Sequence, residues 1–327
     1  MPTYNRADLV VASVRMVLAQ TYDDFELLIC DDGSSDDTLE RLKEVSDPRV
    51  TVLSFANRGP PFPLNEIIRR ARREFVIILH DHDIFSPELI ARSVQMLDDH
   101  PEANFVVQGS AWVAEDGKSS YCANQLSLNA INDGPAFAKS ILRENQNLSF
   151  PLHACCMIRR ASFERVGLSY ELRCGWYADI DLSFRLLRLG AFAAIADELM
   201  RFRTRDPQHV LTRDFRLTYN TLFGVFEHHT EIFFADDLVE MGKRLGRLRE
   251  KRRQFLSRAI LHAFAHGDLA RSREALAVAR RDMPRGLSRM LVSLLMFFTA
   301  LHPVLCRSAA IALEIHRRIR GRAKVAG

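Results

Sequence analysis

Short apolar runs alternate with helical periodicities over the first two hundred residues of the chain. Three runs have the length of buried strands: Phe25–Cys30, Val50–Phe55 and Phe75–Leu79. Three stretches between or after them place apolar residues at helical spacing: 37–45, 65–73 and 87–98. Strands separated by helices predict an α/β fold with a mostly parallel central sheet flanked by helices. In such sheets, ligands bind beyond the carboxyl ends of the strands.

The pattern changes about two thirds of the way along the chain. Before that point, Asn104–Ala114 alternates like a half-buried strand, and Trp176–Gly190 has helical spacing closed by a glycine. After it, strand signals fade, and residues 214–282 are rich in arginine and leucine at helical spacing. We therefore expect an α/β domain over residues 1–206 and a helical region over residues 207–327.

The C-terminal region carries most of the positive charge. Residues 241–327 contain 20 lysine and arginine residues against 5 acidic residues, whereas residues 1–240 contain 25 against 36. The formal net charge of +4 hides this asymmetry. A strongly basic end indicates an anionic partner, for which nucleic acid and a membrane surface are the two candidates.

A long apolar stretch, Met290–Cys306, lies beside these basic residues and favours the membrane over nucleic acid. It has 17 residues and contains His302 and Pro303, whereas a spanning helix needs about 20 apolar residues. We therefore expect an interfacial helix or a helical hairpin that contacts the inner face of the cytoplasmic membrane, and no nucleic acid partner. Packing as an ordinary core helix is the alternative for this stretch.

The composition excludes several classes of protein. Hydrophobic residues make up 47% of the chain and charged residues 26%, which is ordinary for a globular protein and excludes a disordered one. The six cysteines show no C-x-x-C spacing, which indicates reduced thiols in the cytoplasm rather than a disulfide framework. The sequence after Met1 shows no apolar secretory segment.

An acidic sequence, Asp81-His82-Asp83, comes directly after the third apolar run. Two carboxylates two residues apart point the same way on an extended chain, and such hard oxygen ligands suit Mg²⁺ or Mn²⁺, which bridge to phosphate oxygens. A zinc site that uses His80 and His82 is an alternative, although no further zinc ligands are evident. A solvated acidic turn is the other alternative.

A second acidic segment, Asp31-Asp32, ends the first apolar run at the position where a ligand of the sheet would bind. A carboxylate there can accept hydrogen bonds from a nucleobase N–H or a ribose hydroxyl. The following residues, Ser35–Thr38, are explained by a turn and a helix cap.

A third pair of carboxylates lies at the start of the predicted Trp176–Gly190 helix. Asp179 heads an apolar stripe that continues through Leu182 and Leu186, so we expect it to face the protein and to be a candidate base. Its alternative role is to cap the helix. Asp181 lies four residues before Arg185, and we expect those two residues to form an exposed ion pair.

Four segments together resemble the landmarks of the family 2 glycosyltransferases, which have the GT-A fold. They are MPTYNR at the start, FELLICDDGSSDDT at 25–38, EFVIILHDHDIFSPELI at 74–90 and YADIDLSFRLLRLG at 177–190. They occur in the order of that family and cover roughly residues 1–205. The resemblance implies transfer of a sugar from a nucleotide-diphosphate sugar to the hydroxyl of a glycan or lipid-linked acceptor, with inversion and with Mg²⁺ or Mn²⁺ as cofactor.

The resemblance also implies a role for each matching residue. The matches are Pro2, Thr3, Tyr4 and Arg6 beside the nucleotide base, Asp31 and Asp32 against base or ribose, Asp81 and Asp83 on the metal and diphosphate, and Asp179 as the catalytic base.

The sequence departs from the pattern of the family at three places. A strand normally precedes Pro2, and we expect a chain that carries it to be more stable. His80 and His82 stand where the family has aspartates, which leaves open which carboxylate binds the metal. Ala178 replaces the usual glutamate before Asp179.

Two other functions stay open at this point. One is a non-catalytic, membrane-associated binding module with a degenerate site. The other is a nucleotidyltransferase on a related fold, although the basic, glycine-rich phosphate loop of that class is not present near the start of the sequence. The sequence also contains no Q-x-x-R-W, so we do not expect a processive polysaccharide synthase.

Overall fold

A computed structural model describes residues 1–59, 61–113, 119–122, 128–144, 156–203 and 215–265, together with 274, 275 and 278. Its strands are, in chain order, β1 (Pro2–Thr3), β2 (Leu27–Asp31), β3 (Val50–Ser54), β4 (Phe75–Ile77), β5 (Ile84–Phe85), β6 (Phe105–Val113), β7 (Ser119–Cys122), β8 (Ile131–Asn132), β9 (Met157–Arg159) and β10 (Phe192–Arg203). Its helices are α1 (Val10–Leu18), α2 (Thr38–Lys43), α3 (Pro61–Arg70), α4 (Leu89–Asp99), α5 (Gly134–Glu144), α6 (Arg160–Arg165), α7 (Ala178–Leu187), α8 (Phe215–Phe233) and α9 (Leu238–Ala265), and a 3-10 helix covers Leu172–Tyr177.

The first sheet is parallel and contains β1, β2 and β3 in that order. α1 connects β1 to β2, and α2 connects β2 to β3. The register places Thr3 opposite Asp31 and Asp31 opposite Ser54. Because all three strands run the same way, these polar residues lie side by side at the carboxyl edge of the sheet.

The second sheet has the strand order β4-β9-β6-β10-β5, with β7 beside β6 and β8 beside β10. β6 and β10 pair in parallel, whereas β4, β5, β7, β8 and β9 pair antiparallel to their neighbours. The predicted α/β fold class is confirmed. The sheet is more mixed than the alternation of strands and helices predicted, because short returning strands such as β5 add to its edges.

The main core lies between the two sheets and the helices α1 and α4. Its fully buried side chains include Val10, Val14, Ile29, Leu89 and Leu97. Burial of each such side chain stabilises the fold by roughly 1.5–3 kcal/mol. This packing supports the strand ends and the loops that follow them.

A cavity of about 340 Å³ lies beside β2 and β4. Leu27 and Leu28 of β2 line it, together with Phe75–Ile77 of β4 and with Met1. β1 pairs with β2 only at Cys30 and Asp31, and the Met1 ammonium group donates a hydrogen bond to the Leu28 carbonyl at 2.8 Å. On the side away from β3, the amino-terminal part of β2 therefore borders this cavity rather than another strand.

The chain divides into two compact units. The first comprises Met1–Val210 and Gly224–Leu238, and the second comprises Leu211–Phe223 and Val239–Gly327. The first unit contains both sheets. In the second unit, the Tyr219 and Phe223 rings lie 5.2 Å apart, and the Arg252 guanidinium lies 4.9 Å from the centre of the Tyr219 ring. The predicted division into domains 1–206 and 207–327 stays a prediction.

Several helix boundaries differ from those that the sequence predicted. α3 begins at Pro61 rather than Asn65, because prolines are tolerated in the first turn of a helix. The predicted Trp176–Gly190 helix is shorter, and the 3-10 helix that precedes α7 contains Gly175 with a φ of 49°. Among the described residues, no helix is long and apolar enough to cross a membrane. The predicted apolar stretch Met290–Cys306 lies outside the described residues.

Candidate active site

Side chains join the end of β1 to the loop after β2. Asn5 lies in the left-handed region with a φ of 51°, which asparagine tolerates better than most residues. Its backbone N–H donates to Ser34 Oγ at 2.8 Å, and its side-chain oxygen accepts a hydrogen bond from the Ser35 N–H at 2.8 Å. The Arg6 N–H donates to Thr38 Oγ1 at 2.8 Å. The predicted turn over Ser35–Thr38 therefore also holds the segment after β1 in place.

Gly33 allows this loop to pack closely. Its φ is 75°, and a Cβ atom added there would lie 2.6 Å from the backbone nitrogen of Asn57. A side chain would therefore clash with the backbone of the segment after β3 as well as straining its own backbone. Glycine at this position keeps the loops after β2 and β3 in contact.

Asp31 and Asp32 are both buried at the carboxyl end of β2. Asp31 accepts hydrogen bonds from the Ser34 N–H at 3.2 Å and from Ser54 Oγ at 3.1 Å. Asp32 accepts hydrogen bonds at 2.9 Å from the backbone N–H groups of Arg58 and Gly59. Both carboxylates therefore shape the loops around the strand ends, which the sequence did not indicate.

Asp81 connects the loop after β4 to the start of the chain. Its carboxylate accepts a hydrogen bond from Thr3 Oγ1 at 2.7 Å and lies 3.0 Å from His82 Nδ1 and 3.6 Å from Arg6 Nε. Its carbonyl accepts from Ser13 Oγ of α1 at 2.8 Å. Burial opposes ionisation, but the bonds from His82 and Thr3 and the charge of Arg6 outweigh it and lower the pKa of Asp81.

Asp83 has fewer partners than Asp81. Its Oδ1 accepts from the backbone N–H of Arg203 at 3.2 Å and lies 3.8 Å from His82 Nε2. Its Oδ2 has no hydrogen-bond donor among the described residues. Burial, with a smaller contribution from the charge of Asp81, raises the pKa of Asp83 to about 6. The imidazole of His82 thus approaches both carboxylates, of which Asp83 is the one with fewer partners in the described part of the chain.

The remaining residues predicted beside the nucleotide lie on or just after β1. Pro2 is partly buried and Thr3 is buried, whereas Tyr4 is 42% exposed. The ring of Tyr4 is therefore accessible to a ligand. Arg203 donates its backbone N–H to Asp83, while its side chain is exposed.

Asp179 lies in the first turn of α7 and is partly buried. Its carboxylate accepts a hydrogen bond from the N–H of Ile180 at 2.8 Å. Burial raises the pKa of Asp179 to about 6. Within the described residues, no hydrogen bond links Asp179 to Asp81 or Asp83.

The prediction that Asp181 forms an exposed ion pair is half wrong. Its Oδ2 lies 2.8 Å from Arg185 Nε as predicted, but Asp181 is only 2% exposed. Its Oδ1 lies 3.0 Å from Nε2 of His229 on α8. α8 covers the side of α7 opposite the predicted apolar stripe, so both sides of the helix are buried. A stripe on one helix cannot show that a second helix packs against its other side.

Four residues of this region were not singled out from the sequence: Asn5, Ser13, Ser54 and His229. Asn5 lies inside the MPTYNR segment, so its place in that motif was a signal for it. The other three act through partners that are 23 to 68 residues away along the chain. No local pattern marks such partners.

The GT-A glycosyltransferases share this arrangement. They have an α/β fold with a mixed sheet, and acidic side chains cluster beyond its strand ends. The family model described as "Glycosyl transferase family 2" matches residues 1–167. The chain therefore belongs to glycosyl transferase family 2, and the predicted family and fold are confirmed.

Two relatives show how far the similarity extends. The chain is 35% identical over 99 residues to the Escherichia coli UDP-Glc:alpha-D-GlcNAc-diphosphoundecaprenol beta-1,3-glucosyltransferase WfgD, covering 30% of this chain and 39% of that protein. It is 23% identical to an uncharacterized glycosyltransferase of Rickettsia typhi, covering 89% of this chain and 87% of that protein. For WfgD and two further relatives, the matched region spans well under half of the relative's own length.

Solved structures support the fold. The crystal structure of S. aureus TarS 1–349 in complex with UDP-GlcNAc aligns with a TM-score of 0.60 at 16% identity, covering 95% of this chain and 87% of that chain. A second TarS structure, in complex with UDP, aligns with the same TM-score and covers 86% of that chain. At this identity the likeness establishes the architecture alone.

Proposed function

We propose that this protein transfers a sugar from a nucleotide-diphosphate sugar to an acceptor hydroxyl, with inversion at the anomeric carbon. The observation that carries the proposal is the cluster at the carboxyl ends of β1, β2 and β4, where Thr3 donates a hydrogen bond to Asp81 and one oxygen of Asp83 has no donor among the described residues. We propose a UDP-sugar as the donor, because WfgD is named for UDP-Glc and TarS was crystallised with UDP-GlcNAc.

The nucleotide would bind at the edge of the first sheet. The accessible ring of Tyr4 can stack on a base, and Arg6 is close enough to Asp81 to stay ordered beside it. Asp31 and Asp32 accept backbone hydrogen bonds, but each carboxylate has about four lone-pair sites. We therefore propose that these two residues shape the pocket and use their remaining lone pairs on the base or ribose.

The residues around Asp83 fit a hard divalent cation. One oxygen of Asp83 has no protein donor within the described part of the chain, and burial beside Asp81 makes its ionised form costly unless a cation is near. Mg²⁺ or Mn²⁺ held by Asp83 and Asp81 would neutralise the charge of the leaving diphosphate. No group of three or more potential metal ligands occurs among the described residues, so donor and water oxygens would complete the coordination.

Asp179 is the proposed base. The acceptor hydroxyl is a weak nucleophile, so its proton must be removed as the oxygen attacks the anomeric carbon, and a positioned base accelerates this by about 10²–10⁴-fold. A base works best when its pKa is near the operating pH, and burial brings the pKa of Asp179 to about 6. Asp179 would take the proton while the nucleotide diphosphate leaves from the opposite face.

The test is release of UDP from UDP-glucose and UDP-GlcNAc by the purified full chain, with Mn²⁺ and with EDTA. We expect metal-dependent hydrolysis and metal-dependent binding measured by calorimetry. Asp83→Ala is the matched variant, because Asp83 has fewer partners than Asp81 among the described residues. Binding and hydrolysis that persist in EDTA would contradict the metal role. A chain that binds the donor but never releases UDP would instead be the binding module.

We also propose that the basic C-terminal region, residues 207–327, docks on the inner surface of the cytoplasmic membrane and that the acceptor is lipid-linked. The name of WfgD includes a diphosphoundecaprenol acceptor. On α9, Lys243, Arg247 and Arg249 are exposed. Each basic residue near an anionic leaflet contributes about 1 kcal/mol to binding.

Flotation with liposomes that contain anionic lipid tests the membrane proposal. The full chain should float at low salt and less at high salt, because salt screens the attraction. A triple Lys243→Glu, Arg247→Glu, Arg249→Glu variant should float less than the wild type. Equal flotation of both proteins, or none for the wild type, would contradict it.

A further inference from the structure

We propose that His229 is a positioning residue for Asp179, which it serves by anchoring Asp181 in the first turn of α7. The inference rests on the proposed function, because it assigns Asp179 as the base. It concerns a residue on α8, outside the segments that resemble the family.

His229 lies in a stripe of aromatic residues on α8. Phe226 and Phe233 lie three residues before and four residues after His229 on α8, and all three rings contact Phe184 of α7. His229 is fully buried, and its ring stacks on Phe184 with the centres 4.7 Å apart. A phenylalanine would suit this packing, so the imidazole needs a reason other than shape.

The two ring nitrogens of His229 differ in their partners. Nε2 lies 3.0 Å from Asp181 Oδ1, whereas Nδ1 is buried without a hydrogen-bond partner among the described residues. Because the carboxylate of Asp181 accepts, Nε2 carries the proton and donates. Burial lowers the pKa of His229, which agrees with a neutral ring. The protein thus leaves one buried nitrogen unpaired while the other binds Asp181.

Asp181 connects His229 to neighbouring backbone segments through Arg185. Its second oxygen binds Arg185, whose guanidinium donates to the carbonyls of Val166 and Ser169. These carbonyls belong to the segment that leads into the 3-10 helix before α7. One buried network therefore ties the entrance of α7, its first turn and α8 together.

Asp179 depends on this network because, among the described residues, its carboxylate has no side-chain partner of its own. Its hydrogen bond comes from the backbone of the next residue, Ile180. The position of its carboxylate is therefore set by the backbone of the first turn, which is the turn that Asp181 holds. A displacement of about 1 Å at a reacting group can lower a rate about 10²-fold.

The test compares three variants of the full chain by the rate of UDP release from UDP-GlcNAc with Mn²⁺. His229→Phe keeps the aromatic packing and removes the donor. His229→Gln places an amide N–H near the position of Nε2 and is the rescue variant. His228→Phe is the control, because His228 is the neighbouring residue and is exposed.

We expect His229→Phe to lower kcat at least tenfold with KM for UDP-GlcNAc changed less than threefold, and to shift the acidic limb of the pH profile. His229→Gln should recover most of the rate, and His228→Phe should match the wild type. An unchanged kcat in His229→Phe would overturn the positioning role. So would a loss in His229→Phe that matches its loss of folded protein and leaves the pH profile in place. A wild type without UDP release would instead overturn the proposed function.

Discussion

Two regions of this protein each hold two aspartates that are two residues apart. In both regions, one aspartate has several partners and the other has few. In the loop after β4, Asp81 is bound by Thr3, Arg6 and His82, while one oxygen of Asp83 has no donor within the described part of the chain. In the first turn of α7, Asp181 is bound by Arg185 and His229, while Asp179 has no side-chain partner among the residues that the structure describes.

The pKa directions follow this division. The pKa is lowered in Asp81 and Asp181, because hydrogen bonds and nearby positive charge outweigh burial. It is raised to about 6 in Asp83 and Asp179, because burial is not offset. One carboxylate of each pair anchors the backbone, and the other is left in a costly ionised state that a cation or a proton relieves.

The regions differ in how the anchor is made. Asp81 binds Thr3 and Arg6, so it links the loop after β4 to the segment that follows β1. Asp181 binds His229, which comes 48 residues later in the chain. A D-x-D spacing alone therefore does not distinguish the two carboxylates, whereas the partners supplied by other elements do.

The largest effect should come from the carboxylate that we assign as base. Asp179→Asn should lower the rate of sugar transfer or UDP release by about 10²–10⁴-fold, because an amide cannot accept the proton. Donor affinity measured by calorimetry should stay within a few-fold of the wild type. A variant that keeps a tenth or more of the wild-type rate would show that Asp179 is not the base.

Removing the anchor of the same turn should act mainly on stability. Asp181→Ala leaves Arg185 without its buried partner, and loss of one member of a buried ion pair costs about 3–5 kcal/mol. We expect a lower Tm and a lower denaturation midpoint. Asp179→Ala is the matched control and should cost much less. Similar melting of the two variants would remove the distinction between anchor and reactive carboxylate.

The acidic loop after β4 should show the same contrast in binding. Asp83→Ala should weaken Mn²⁺-dependent donor binding about 10–100-fold, the range typical of perturbed metal sites, without lowering Tm. Asp81→Ala, in contrast, should also lower Tm, because Thr3, Arg6 and His82 lose a shared partner. If Asp83→Ala binds donor and Mn²⁺ like the wild type, the cation is held elsewhere.

The smallest effect concerns pH. The base must be ionised, so kcat/KM should fall about tenfold per unit below the pKa of Asp179, near 6. Raising the Mn²⁺ concentration should move any limb that comes from Asp83 to lower pH and leave that of Asp179 unchanged. A flat profile between pH 5 and 7 would contradict ionisable roles for both residues.

The same pKa shifts predict how stability depends on pH, and the two members of each pair contribute with opposite signs. Asp83 and Asp179 have raised pKa values, so the folded state holds more protons between about pH 4 and 6, and their contribution to stability is lost as pH rises through 6. Asp81 and Asp181 have lowered pKa values, so their contribution is present at neutral pH and lost on acidification. Asp179→Asn should flatten the loss near pH 6 in thermal melts.

The sequence by itself determined the α/β class, the family and the places of the acidic residues. The apolar runs before Asp31 and Asp81 are local patterns that the sequence shows directly. Ligands bind beyond the carboxyl ends of such strands, which is where these two residues lie. The helix that carries Asp179 was also found by its local period, although its start was placed too early.

Only the tertiary structure decided which carboxylate of each pair has more partners among the described residues. Asp181 was predicted to be exposed because it lies four residues before Arg185, but α8 covers that side and supplies His229. Likewise, Thr3 reaches Asp81 across 78 residues of sequence. Burial and hydrogen-bond partners depend on elements distant in the chain, whereas periodicity and turn chemistry depend on neighbours. That is the physical reason why the sequence located the pairs of aspartates and the fold distinguished their members.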